Sequence, residues 1–137
     1  MSFISRSTAA LTFHGPDLVP YELTSKLGSP PTRSHQKGEK KCNSDLTWST
    51  GYWSFDAAER TPGDLGGQIE ELFNDLTDDM NAWQDLTSRF EARVFVGLFL
   101  NEQNEMIDLS PATLKLLAER NIRIAFDIYA GSNEEAH

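Results

Sequence analysis

The sequence predicts an α+β protein: a four-stranded, mainly antiparallel sheet with helices packed mainly on one face. Three observations carry this. Large apolar residues fall at every second position near the C-terminus, where Ile122, Ile124, Phe126 and Ile128 alternate with Arg123, Ala125, Asp127 and Tyr129, the period of a strand. In mid-chain the period changes. Leu65, Ile69, Leu72, Phe73, Leu76, Met80 and Trp83 recur at helical spacing. Helix starts and stops then punctuate the chain into the order β-α-β-α-β-α-β. A split βαβ arrangement related to the ferredoxin-like fold is the leading topology. The middle helix is a departure from it, because that fold joins its second and third strands by a direct hairpin.

Residues 3–14 read as the first strand, with Ala9, Leu11 and Phe13 on one face. Gly15-Pro16-Asp17 ends it. The first helix has Pro20 in its first turn and Leu23 and Leu27 on one face, and Gly28 is placed for a left-handed stop. Ser29 to Asp45 reads as a loop, because Pro30-Pro31 forbids helix. Residues 46–55 read as an aromatic second strand, with Trp48, Thr50 and Tyr52 on one face and Gly51, Trp53 and Phe55 on the other. Gly51 marks a bulge or a close backbone approach.

Asp64 is the expected N-cap of a helix over 64–80 that ends or bends near Asn81 and continues to about Thr87. Its outer face carries Glu70, Glu71, Asp75, Asp78 and Asp79. Residues 92–100 are apolar on both faces, which predicts a central strand. After a turn at 101–104, Met106 to Leu109 is expected to pair back briefly. Ser110 caps the last helix and Pro111 suits its first position, where a missing N–H costs nothing. Asn121 turns the chain into the last strand. Strand, Pro-started helix and strand thus occur once in each half, a faint duplication.

The chain has 137 residues and a net charge of −9. That length predicts one α+β domain, residues 1–137, with roughly 65–70% of the unfolded chain's surface buried. The acidic field argues against nucleic acid as a partner. Cys42 is the single cysteine, so no internal disulfide can form, in keeping with a cytoplasmic setting. The opening MSFISRSTAA lacks a continuous apolar core, so no signal peptide is expected. No apolar run approaches the ~18 residues of a membrane span.

Catalytic signals are weak. His14, His35 and His137 are scattered, without HExxH or other ligand spacing, so neither a metal nor a cofactor is expected. No GxSxG is present. Lys40 and Lys41 flank Cys42, but no histidine-plus-acid pattern marks it as a nucleophile. The chain reads as a non-enzyme.

Two binding candidates stand out. The loop holding Arg33, His35, Lys37 and Gly38 is the one clearly basic stretch. An arginine fork, a lysine charge and a glycine that admits backbone N–H groups suit an anion. The bland alternative is a solvated loop paired with the protein's own carboxylates. Asp127 is the second, expected on the open sheet face with Arg123, Tyr129, Thr12, His14, Trp48, Tyr52 and Phe99. A carboxylate among aromatics needs a partner or open water. The two candidates combine if the loop folds over the face and Asp127 meets Arg33 or Lys37. Trp48, Tyr52, Trp53 and Phe55 could form a stacking platform, although an aromatic strand is more often core. The acidic helix surface could draw a basic partner, although such a surface is more often simply solvated.

The stretches Gly28-Ser-Pro-Pro-Thr-Arg-Ser34, Lys37-Gly38-Glu39, Trp48, Leu109-Ser110-Pro111 and Phe126-Asp127-Ile128-Tyr129 together resemble a bacterial domain-of-unknown-function family, number 4279. The resemblance spans nearly the whole chain in order and implies no activity. By analogy with other small families, an immunity or accessory role beside a basic toxin is the sharpest expectation. The expected partner is a basic protein or a second copy; the alternative is a small anionic ligand held by the 32–40 loop.

Overall fold

The protein is described by a computed structural model, which covers residues 2–131; the expectation concerning His137 lies outside the described residues. Two strands open the chain, β1 (Ser2–Phe3) and β2 (Arg6–Gly15), followed by helix α1 (Pro20–Leu27) and strands β3 (Arg33–His35) and β4 (Gly51–Asp56). Two helices come next, α2 (Leu65–Asn74) and α3 (Met80–Arg89). Then come β5 (Glu91–Phe99), β6 (Glu105–Met106), α4 (Pro111–Glu119) and β7 (Arg123–Tyr129).

The α+β class holds, and the finer topology is corrected. The main sheet has five strands in the order β3-β4-β2-β5-β7, and β1 and β6 form a separate parallel pair. The β3-β4, β4-β2 and β2-β5 pairs are antiparallel, while β5 and β7 are parallel. The ferredoxin-like order is not adopted. The fifth strand arises because Arg33 to His35, inside the expected loop, pairs with Ser54 to Tyr52. The parallel pair arises because α4 carries the chain back along β5 before β7 begins, so β7 must run the same way.

Alternation along the strands sorts the two faces. Ala9, Leu11 and Phe13 of β2, Trp53 of β4, and Val94, Val96 and Leu98 of β5 are buried on one face. That face meets Leu23 and Leu27 of α1, Leu65, Ile69, Leu72 and Phe73 of α2, and Trp83 and Leu86 of α3. Phe13 lies between Trp53 and Trp83, with ring centroids 6.0 and 6.4 Å away. Among the described residues the other face carries no helix. β5 is central as expected, between β2 and β7. Its second apolar face is nevertheless open, and Phe95 is 37% exposed there.

Local signals act as written. Gly28 ends α1 at φ 91°. Asp64 caps α2 by accepting from the Gly67 N–H at 3.1 Å. Ser110 caps α4, accepting from Thr113 N–H at 3.2 Å, with Pro111 in the first turn. Asn121 turns at φ 60°. At Gly51 a Cβ would sit 2.3 Å from the Leu18 carbonyl oxygen, so the close approach is real.

Four boundaries differ. The first strand breaks at Ile4–Ser5 into β1 and β2. The fourth strand starts at Gly51 rather than residue 46, because Lys40 to Trp48 fold on themselves. The expected 64–80 helix stops at Asn74 and restarts at Met80, where Asp79 accepts from Asn81 N–H at 3.0 Å. A second capping carboxylate wins there over a continuous apolar stripe. Finally, β6 pairs with β1 instead of back on β5.

One buried polar cluster ties α2 to β2. Ser7 Oγ donates to Gln68 Oε1 at 2.7 Å, and Gln68 Nε2 donates to the Ser7 and Ala58 carbonyls at 2.9 Å each. Both side chains are fully buried and fully satisfied.

Candidate functional site

Strand register lays the open face out in rows. One row runs Arg33, Ser54, Thr12, Arg93 and Arg123 from β3 to β7. The row beside it holds His35, Tyr52, His14 and Glu91. At the far end, Arg6, Phe99 and Tyr129 share a row, and Thr8, Gly97 and Asp127 the row before it. The face therefore collects Thr12, His14, Tyr52, Phe99, Arg123, Asp127 and Tyr129, as expected. It does not bring the two candidate sites together.

The first site lies at the β3 edge. Arg33 pairs with Asp56 at 3.2 Å, within its own sheet corner. His35 stacks between Trp48 and Tyr52, with ring centroids 3.7 and 5.3 Å away and interplanar angles of 7° and 18°. Lys41 Nζ sits 4.8 Å over the Trp48 ring. Trp48 reaches this stack from outside β4, because residues 36–48 double back as an arm. The Gly38 N–H donates to the Trp48 carbonyl and the Trp48 N–H to the Glu39 carbonyl, each at 2.9 Å. Gly38 turns the arm at φ 92°, a conformation that favours glycine. Lys37, Lys40 and the arm tip, where Leu46 is 66% exposed, face solvent.

His35 is the electrostatic focus of this edge. Burial between the rings pushes its pKa down, and Lys41 adds to that, while the Thr50 backbone and Glu39 pull the other way. Its Nδ1 is buried without a well-aligned hydrogen bond. The neutral imidazole is thus the form this stack holds.

The second site lies at the β7 edge, beyond β4, β2 and β5. Tyr129 donates its hydroxyl to Asp127 at 2.5 Å, and that carboxylate raises the phenol's pKa. Tyr129 stacks on Phe99 at 4.7 Å and 3°, and the Arg6 guanidinium covers the other side of Phe99 at 3.7 Å. The expected meeting of Asp127 with Arg33 or Lys37 is overturned. Asp127 is satisfied by Tyr129 and Arg33 by Asp56, and three strands stand between them. The β7 residue in Arg33's row is another arginine, Arg123.

Two features escape a reading of the sequence. Asp56, the partner of Arg33, lies just past the aromatic strand with nothing local to mark it. Arg93 and Arg123 become neighbours only through the parallel register. Among the described residues no three His, Cys, Asp or Glu side chains gather in a metal-holding cluster. Cys42 is free and exposed. No helix among the described residues is long and apolar enough to cross a membrane.

These features define an α+β fold with one helix-covered sheet face and one open face, on which Arg33 pairs with Asp56, His35 stacks with Trp48 and Tyr52, and Tyr129 donates to Asp127. A family model described as Domain of unknown function (DUF4279) matches residues 5–131, and the chain belongs to that family. No curated protein and no solved structure matches the chain.

Proposed function

We propose that this is a small cytoplasmic bacterial protein that binds a basic protein partner and performs no catalysis. One observation carries the reading. Glu70, Asp75, Asp78 and Asp79, on α2 and the turn after it, are all exposed, and none pairs with a lysine or arginine among the described residues. Several other carboxylates are used internally, as Arg60 takes Asp64 and Glu71, and Arg89 takes Glu22 and Asp85, while the unpaired Asp17, Asp45 and Asp108 are scattered singly along the chain. An unneutralised acidic surface on a chain of net charge −9 steers a cationic protein toward it. An immunity-like or accessory role against a basic toxin is the sharpest form.

The alternative, an anion on the 32–40 loop, loses its arginine to Asp56 and its histidine to the aromatic stack, leaving Lys37 and Gly38. A second copy of the chain would instead cover Phe126 and Ile128, which β7 leaves 45% and 63% exposed.

The test is cross-linked capture from the source cell at low and high salt, then reconstitution with each purified candidate. A 1:1 complex is expected whose on-rate falls about tenfold or more between 50 and 300 mM salt. Changing all four carboxylates to amides should remove most of that salt dependence. Salt-insensitive association, or unchanged binding by the four-fold variant, overturns the reading. Light scattering on the isolated protein separates out the second-copy alternative.

A further inference from the structure

We propose that the end of the sheet where β5 and β7 begin is a binding site for a small oxyanion ligand, a phosphate or carboxylate, held between Arg93 and Arg123. The parallel register sets the two arginines directly across from one another on the open face. Adjacent strands lie about 4.8 Å apart, a spacing that lets two long arginine side chains of one row swing onto a shared oxyanion. Both side chains are exposed, and neither forms an ion pair among the described residues. Like charges placed directly opposite in a sheet are unfavourable. An acidic protein that neutralises Arg6, Arg33, Arg60 and Arg89 internally leaves this pair unneutralised.

The pair is also at a cavity. Arg93 and Arg123 line a space of about 420 Å³ with His14, Glu91, Asn121 and Ile122, within the usual size range of a small-molecule site. The one carboxylate in the lining, Glu91, lies 2.8 Å from His14 Nε2 and forms no ion pair with either arginine. Arg93 is steadied over Phe95 at 5.2 Å. A bidentate fork on each side of an oxyanion is the geometry for which arginine is suited over lysine. The basic arm differs, because Lys37 sits in the exposed turn at Gly38 and Lys40 in the bridge to Thr47, and neither lines this cavity. This inference is independent of the basic-partner reading, whose carboxylates lie on α2 and the turn after it.

Thermal unfolding of the whole protein in inorganic phosphate, pyrophosphate or citrate, against sodium chloride at equal ionic strength, tests the site. A saturable rise in the midpoint is expected for at least one anion, roughly 8–10 °C at a hundredfold excess over its dissociation constant. Arg93→Ala and Arg123→Ala should each lose most of the rise, while Lys37→Ala with Lys40→Ala keeps it. Amide chemical shifts of the wild type, which need no variant to fold, should move at residues 90–93 and 118–123 when pyrophosphate is added. No saturable rise with any of the three anions overturns the proposal. So does a rise that survives loss of both arginines, or shifts confined to residues 36–48.

Discussion

The central antiparallel pair, β2 and β5, is flanked by two strands that meet opposite fates. β2-α1-β3 and β5-α4-β7 form one strand–helix–strand unit in each half of the chain, whereas the duplication expected from the sequence ended its first unit on the aromatic strand, now β4, which runs antiparallel to β2. In each unit the two strands run parallel, since β3 is antiparallel to β4, which is antiparallel to β2. The first unit, however, has β4 inserted between its strands. β4 is therefore internal, with β3 covering its outer edge, and its Trp53 is completely buried. β7 has no such neighbour among the described residues. It ends the sheet, and Ile128, on the same helix-side face as Trp53, is 63% exposed. The comparison shows that face orientation alone does not bury a side chain; a strand also needs a neighbour and a helix above it. The insertion also supplies the basic arm and the His35 stack, which the second unit lacks.

The largest break in this comparison is at those two side chains. Trp53→Ala should cost about 3–5 kcal/mol, because it empties packing against Phe13 and removes the indole donor to Thr24. Ile128→Ala should cost about 0.5 kcal/mol or less. Urea unfolding of both variants measures the contrast, and equal losses would mean that β7 is covered in solution.

A smaller effect is expected at the helix stops. α1 ends on Gly28 at φ 91° and α4 turns at Asn121 at φ 60°. Gly28→Ala should destabilise by about 1 kcal/mol, although nothing crowds the new methyl, because the left-handed backbone is what an L side chain resists. Asn121→Gly should change stability by only a few tenths of a kcal/mol, since asparagine already tolerates that conformation. Unfolding midpoints at constant denaturant slope decide this.

The smallest effects separate the two edges by pH. His35 is held below its ordinary pKa, so the folded state binds fewer protons than the unfolded state once pH falls through the ordinary histidine range near 6.5. Stability should therefore drop as pH falls from 6.5 toward the lowered folded pKa and level off below it. His35→Phe should flatten that part of the stability profile. At the other edge Tyr129 is held above its ordinary pKa by Asp127. Asp127→Asn should shift the phenol's ultraviolet titration downward, and an unmoved titration would show that the hydroxyl does not rest on Asp127.

Much of the local structure is legible because its causes are local. Asp64, Ser110-Pro111, Gly28 and Asn121 act on neighbouring backbone groups, and the alternation of β5 and β7 follows from the pleat. The open face's membership was readable for the same reason. Its pairings were not. Arg33 has Asp56 and Asp127 has Tyr129, but the sequence offers many carboxylates to any arginine, and only register chooses among them. The break between α2 and α3 was missed because the apolar stripe continues through Leu76 while Asp79 begins a new helix.

By itself, then, the sequence determined the α+β class, the ends of α1, the start of α2 and both ends of α4, which side of β2, β4 and β7 faces the core, and the acidic balance. The tertiary structure alone decided the strand order, the insertion of β4, the stacking of Trp48 on His35 and the placement of Arg93 beside Arg123. The physical reason is range. Caps, turns and side-chain alternation are set within a few residues, whereas strand neighbours are selected by burying one shared apolar face. That selection involves the whole chain at once.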